Sequence, residues 1–242
     1  MIGRIDVHSH LLPGIDDGCK TVEESIACAR VLVANGYTHA FCTPHIWAKF
    51  AGVSRSSVVV WVSQLQKALD DAGVALKLLP GGELNLYLGV TQLPDEEVVP
   101  LGLGKFVLVD MWAAELPAFF DETIDWLQGL GLTVILAHPE RMRAVQDAPE
   151  LGDYFLSRGM LMQGNLQCFG ERDGAITRTI AEKFLHEGKY FMVGSDTHSP
   201  ESMEVRMRGL GRVIEIVGSE GAEALTRGNP MKLAPEVFQA DL

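Results

Sequence analysis

Apolar runs that end in histidine or an acid are what most constrain this 242-residue chain. Runs at 4–8, 37–43, 74–79, 105–110, 132–137, 160–163 and 190–194 read as strands, separated by stretches with helical spacing. Five or six of them lead straight into metal-type side chains: His8 with His10, His45 after Pro44, Glu83 after Gly81-Gly82, Asp110, His138, and Asp196 with His198. Strands alternating with helices predict a mostly parallel sheet with crossover connections. In a β/α barrel all strand C-terminal ends open on one face, where active sites lie. Unrelated surface positions would not converge in this way.

The helices between the runs carry their own signals. Thr21 followed by Glu24 predicts a capping box, and Asn35-Gly36 a stop. Further helices are expected at 54–72, 120–129, 149–158, 175–187, 201–217 and 219–227. The run Val58-Val59-Val60 argues against the first of these. Pro94 and Pro100 punctuate a less regular section. No repeat or linker divides residues 1–242, so a single domain is expected.

Composition narrows the partners. The chain is 47% hydrophobic, enough for a large core. A formal net charge of -12 argues against a nucleic-acid surface, though not against a local cationic pocket. The first residues do not read as a signal peptide, and no run reaches the length of a membrane span. Cys19, Cys28, Cys42 and Cys168 lack CxxC spacing and read as buried free thiols of a cytoplasmic protein.

Histidine and carboxylate donors suit zinc, manganese or iron. Alternation along a strand puts His8 and His10 on one side, and Asp196 and His198 repeat that spacing. Glu83 is the expected bridge between cations. Asp17 is preferred to Asp16 as a ligand from the loop after His10. Clustered cations would lower the pKa of a shared water, giving a hydroxide nucleophile that attacks a phosphate ester. Arg141 would grip the phosphate bidentately. No cysteine has an arginine six residues on, and neither a Gly-x-Ser-x-Gly elbow nor a Walker loop is present. His39 and His186 read as structural. Trp61 and Trp126 read as core, and so by default do Trp47 and Trp112, although these two fall near the mouth and are placed to stack on an aryl ester.

The stretches Asp6-Val7-His8-Ser9-His10, Ile15-Asp16-Asp17-Gly18, Thr43-Pro44-His45, Gly82-Glu83, His138-Pro139-Glu140-Arg141 and Ser195-Asp196-Thr197-His198 resemble the polymerase-and-histidinol-phosphatase (PHP) superfamily. Within it they resemble the bacterial manganese-dependent protein-tyrosine phosphatases of capsule and exopolysaccharide synthesis. The resemblance implies a distorted (β/α)7 TIM-like barrel with three divalent cations, manganese or else iron or zinc. It assigns His8, His10, Glu83 and Asp196 to one ion, Glu83, Asp110 and His138 to a second, and Asp17, His45 and His198 to a third. It implies a phosphotyrosine protein as substrate, phosphate as product, and a bacterial tyrosine autokinase as partner. Two positions depart from the family pattern, as does the segment Met111-Trp112-Ala113-Ala114-Glu115, which is expected to reshape the pocket rim. Asp110 stands where a glutamate is expected, and Met203 where a second phosphate-binding arginine is expected, leaving Arg206 or Arg208 as the nearest replacement. Other readings of the same residues are a phosphatase for histidinol phosphate or a nucleotide, or a metal-stabilised phospho-binding protein without turnover.

Overall fold

Every strand pairing among the described residues of the computed structural model is parallel. It describes residues 2–47, 50, 52–170 and 172–240. The strands are β1 (Arg4–Asp6), β2 (Tyr37–Cys42), β3 (His45–Ile46), β4 (Lys77–Pro80), β5 (Glu83–Asn85), β6 (Phe106–Asp110), β7 (Thr133–Ala137), β8 (Leu161–Asn165) and β9 (Met192–Gly194). They form two sheets, ordered β1-β2-β4 and β3-β5-β6-β7-β8-β9. The division falls at Thr43-Pro44 and Gly81-Gly82, where two longer strands kink. Pro44 has no N–H to give a ladder, but its carbonyl accepts from Glu83 N at 3.0 Å. A Cβ on Gly82 would lie 2.6 Å from Ile46 Cδ1 and 3.0 Å from Val99 Cβ, so glycine lets these side chains pack closely over the kink. Taken as kinked staves, 37–46 and 77–85 bring the number of staves to the expected seven.

The ring closes between the first and last staves. Ser9 bridges Thr197 in parallel. Asp196 N donates to His8 O at 2.8 Å, and His10 N to Thr197 O at 2.9 Å. Below them the buried Asp6 carboxylate accepts from both the Ser195 amide and its hydroxyl. The (β/α)7 barrel is therefore present, and it is distorted where the staves kink.

Around it lie α1 (Val22–Ala34), α2 (Arg55–Asp71), α3 (Phe120–Gly129), α4 (Arg143–Asp147), α5 (Leu151–Ser157), α6 (Leu166–Phe169), α7 (Ala175–His186), α8 (Met203–Glu223) and α9 (Pro235–Ala240). Thr21 caps α1 as expected, but Glu24 reaches back to Lys20 N, not to Thr21. Helix α2 tolerates its valines because Ser54 and Ser57 cap its start reciprocally and Val58 is buried. The two expected C-terminal helices merge into α8, broken at Gly218 (φ 72°) and followed by a π-helical turn over Ala224–Gly228. Helices α4, α6 and α9 are absent from the sequence reading, being too short to show a period. Leu233, Ala234 and Phe238 join Ile5, Phe41 and Met192 in the barrel-interior cluster, so α9 and the turn before it plug the strand-start end. All four cysteines are free and buried. Among the described residues no helix is long and apolar enough to cross a membrane.

Candidate metal centre

Polar side chains gather at the opposite, strand-end face. His8 and His10 follow β1, His45 opens β3, Glu83 opens β5, Asp110 closes β6, His138 follows β7, and Asp196 and His198 follow β9. Two of these positions adopt left-handed backbone, His138 at φ 36° and Asp196 at φ 51°. Non-glycine residues hold that conformation only where surrounding bonds impose it, and such sites cluster at functional centres.

Glu83 sits at the middle and is fully buried. Its Oε2 lies 3.3 Å from His8 Nε2, 3.4 Å from His10 Nε2 and 2.7 Å from His45 Nδ1. Its Oε1 lies 3.0 Å from His138 Nε2. Asp196 Oδ1 is 3.4 Å from His8 Nε2 and 3.2 Å from His10 Nε2, and these two nitrogens are 3.2 Å apart. Three donor atoms, from His8, His10 and Asp196, thus lie within 3.2–3.4 Å of one another, with Glu83 Oε2 beside the two imidazoles. Edges of roughly 3.4 Å are what donors bound at about 2.1 Å to a tetrahedral ion would show. His45 Nδ1 and Glu83 Oε2 are both buried, and for all their closeness neither has a partner in hydrogen-bonding geometry. Lone pairs aimed at a common centre in this way fit divalent cations.

Outer contacts set the ring orientations. His8 Nδ1 donates to Gln163 Oε1 at 2.9 Å, His10 Nδ1 to Asp16 Oδ2 at 2.7 Å, and His198 Nδ1 to the Asp196 carbonyl at 2.8 Å. Each partner can only accept, so each Nε2 keeps its lone pair for the centre. Asp16 also accepts from the Gly18 and His45 amides, which makes it a positioning residue. Asp17 instead reaches inward, its Oδ1 lying 3.2 Å from His45 Nε2 and 3.6 Å from His198 Nε2.

Among the described residues four overlapping groups have metal-binding proximity: His8 with His10 and Asp196; His8 with Glu83 and His138; His45 with Glu83 and Asp110; and His10 with Asp17, His45 and His198. All nine sequence-derived ligand candidates are brought together. The grouping around Asp110 differs from expectation, since it pairs with His45 and Glu83, while His138 pairs with His8 and Glu83. Both Asp110 oxygens are engaged, Oδ1 by Asn85 Nδ2 at 2.9 Å and Oδ2 by Trp112 Nε1 at 2.7 Å.

Charges balance inside the cluster. Burial alone would raise the Glu83 carboxyl, but His8, His45, His10 and His138 hold it well below the carboxylate range. Asp196 is likewise buried, and His8, His198 and His10 depress it. Burial would lower His45, yet Glu83 and Asp17 raise it to about 9. His8 and His10 are raised by the neighbouring carboxylates against the same burial cost. Asp110 is pushed up by burial and by Glu83.

A stability prediction follows for the chelated protein. A folded-state pKa above the unfolded value of about 6.5 stabilises fully below that value and is lost as pH rises through the folded pKa. The melting temperature of the chelated protein is therefore expected to fall between pH 6.5 and 9, and that of the metal-loaded protein to hold. Thermal melts across that range with and without chelator test this; a flat chelated curve would contradict the imidazolium–carboxylate network.

Above the cluster lies a cavity of about 330 Å³, lined in part by His138, His198 and three arginines. Arg141 lies 3.3 Å from Asp196 Oδ2 and 3.6 Å from Asp173 Oδ2, with its guanidinium 5.0 Å over the Trp112 ring. Arg206 is buried and donates to the carbonyls of Ser195, Asp196 and Ser202. It clamps the loop that presents Asp196. Arg172, which sequence reasoning missed, is exposed on the same cavity and has no ion-pair partner among the described residues. Its signal, an arginine in the loop before α7, is not distinctive without the fold. Asn165, also missed, caps α6 and donates to Asp196 Oδ2 at 2.6 Å.

Residues 4–234 match the profile of the family described as capsular polysaccharide synthesis, CpsB/CapC. The chain belongs to that family. Among its relatives, the tyrosine-protein phosphatase YwqE of Bacillus subtilis is 28% identical over 240 residues, covering 96% of this chain and 94% of YwqE. The tyrosine-protein phosphatase CpsB of Streptococcus agalactiae serotype V is 25% identical over 232 residues, covering 91% and 94% of the two chains. A solved chain from work on YwqE of B. subtilis and CpsB of Streptococcus pneumoniae, described as metal-dependent tyrosine phosphatases, superposes with a TM-score of 0.87. It is 26% identical and is covered over 94% of its length and 96% of this chain. The histidinol phosphate phosphatase of Lactococcus lactis, at 14% identity and a TM-score of 0.52, shares the fold alone. The resemblance to the tyrosine phosphatases of capsule synthesis is thereby borne out.

Proposed function

We propose that this chain is a single-domain, metal-dependent phosphomonoesterase acting on phosphotyrosine in proteins. The observation that carries the reading is the buried Glu83 shared among four imidazoles directly beneath an arginine-lined cavity. The names of the CpsB/CapC relatives support it. Three divalent cations, manganese before iron or zinc, would be held by His8, His10, Glu83 and Asp196, by His138 with Glu83, and by Asp17, His45 and His198, with Asp110 standing beside Glu83 and His45. When bound they lower the pKa of a coordinated water and neutralise phosphoryl oxygens.

The chain's own residues do the rest. Gln163 and Asp16 orient His8 and His10. Arg141, aligned between Asp196 and the Trp112 ring, presents N–H donors to phosphate. Arg172 supplies the second cation in place of the arginine missing at Met203. Arg206 acts by positioning Asp196, not by touching phosphate. Trp47 and Trp112 flank the mouth and fit an aryl leaving group. The setting proposed is cytoplasmic, which suits four buried thiols. The partner proposed is a bacterial tyrosine autokinase, and no nucleic-acid role is assigned to so acidic a chain.

Hydrolysis of p-nitrophenyl phosphate and a phosphotyrosine peptide, with manganese, iron or zinc and with chelator, tests the reading. Manganese-dependent turnover abolished by chelator is expected; inactivity with every ion would sink it. Arg172→Ala is expected to raise KM and weaken product inhibition by phosphate about ten-fold, with kcat nearly kept. Steady-state kinetics check this, and unchanged constants would remove Arg172 from the site.

A further inference from the structure

A second hollow, of about 540 Å³, adjoins the arginine-lined cavity. Its walls include Leu86, Tyr87, Leu88, Met111, Pro117 and Phe119. Trp47 and Trp112 line both hollows and form the partition between them. Trp112 is 58% exposed, yet it is held at two points: Nε1 donates to Asp110 Oδ2, and Arg141 lies over its ring. Leu88, just past β5, is 79% exposed. Exposed apolar side chains gathered beside a polar pocket mark a recognition surface. The other rim of the arginine-lined cavity carries Gln167, Arg172, Ser199 and Ser202 and is polar. The mouth is therefore two-sided, apolar toward the loops after β5 and β6 and polar toward the loop before α7.

We propose that this hollow is a subsite for an apolar side chain flanking the phosphotyrosine of a protein substrate. The proposal rests on the phosphatase reading above. With its phosphate at Arg141, the tyrosine ring meets the two tryptophans, and the substrate backbone runs along the rim. A leucine-sized neighbour then enters a lining that rewards apolar surface. An aspartate there would lose water without gaining a partner.

Metal-loaded protein is tested against phosphotyrosine peptides carrying leucine or aspartate at each of two positions on either side of the tyrosine, with p-nitrophenyl phosphate as a substrate that cannot reach the hollow. Leucine is expected to give roughly ten-fold higher kcat/KM than aspartate at one of these positions. Leu88→Ser, at an exposed position, should remove most of that preference, Leu88→Met should keep it, and turnover of p-nitrophenyl phosphate should not change. Peptides turned over equally, or Leu88→Ser lowering p-nitrophenyl phosphate turnover as much as that of the leucine peptide, would overturn the subsite while leaving the phosphatase reading standing. No turnover of any of these substrates by the wild type would defeat the phosphatase reading and the subsite with it.

Discussion

Glu83→Gln is expected to reduce metal-dependent turnover by roughly three orders of magnitude, because several kcal/mol of charge stabilisation are lost with the carboxylate. Glutamine keeps the shape, so a fully buried position is not emptied. The change is in charge and donor chemistry. One Glu83 oxygen faces His8, His10 and His45, and the other faces His138. An amide places N–H groups against one set of lone pairs and removes the anion that all four imidazoles share. Metal occupancy should fall together with kcat, which separates this variant from one that only slows chemistry. Elemental analysis and p-nitrophenyl phosphate kinetics on the same sample decide the matter. Full metal loading with turnover within ten-fold of wild type would show that Glu83 is not the bridge.

The largest expected effect on stability is far less visible. Gly209 lies within α8, where a Cβ would stand 1.8 Å from the Leu166 carbonyl oxygen; at Gly170 a Cβ would stand 2.1 Å from the Val205 carbonyl oxygen. Helices α6 and α8 therefore pack backbone against backbone, and a backbone cannot swing aside as a side chain can. Gly209→Ala is expected to cost about 3 kcal/mol through overpacking. For a chain of this size that lowers the melting temperature by roughly 6–12 °C. Activity should fall as well, since α8 carries Arg206, which holds the Ser195 and Asp196 carbonyls. Gly211→Ala is the control. It lies on the same helix with open space around it, and there alanine should be neutral or slightly stabilising. Equal melting temperatures for the two variants would refute the close-packing argument.

Much of the metal centre is legible in the chain because a parallel barrel converts order in sequence into convergence in space. A ligand-type residue after most of the apolar runs is enough to predict that His8, Glu83, His138 and Asp196 meet. The same rule is silent on residues that act through others. Asp16 and Asp17 are neighbours of identical type, and only the bonds from His10, Gly18 and His45 make one a support while the other faces the centre. Gln163 and Asn165 lie on a strand that carries no histidine, cysteine or acid, so nothing marks it as part of the centre.

The arginines show the boundary most clearly. Arg141 is identifiable from its place three residues after His138. Arg206 loses its expected standing once the chain is folded, and Arg172, to which none was given, lies exposed on the cavity. The carbonyls of Ser195, Asp196 and Ser202 take up the buried Arg206, while Arg172 keeps its charge free at the cavity. By itself the sequence determined the fold class, the ligand types and the face on which they meet, because periodicity and strand-end placement are local properties. Ring orientation, the sharing of Glu83, the packing of Gly209 and which arginine is tied up by backbone carbonyls were decided only by the tertiary structure, because each depends on groups distant in sequence competing for the same hydrogen bonds or the same space.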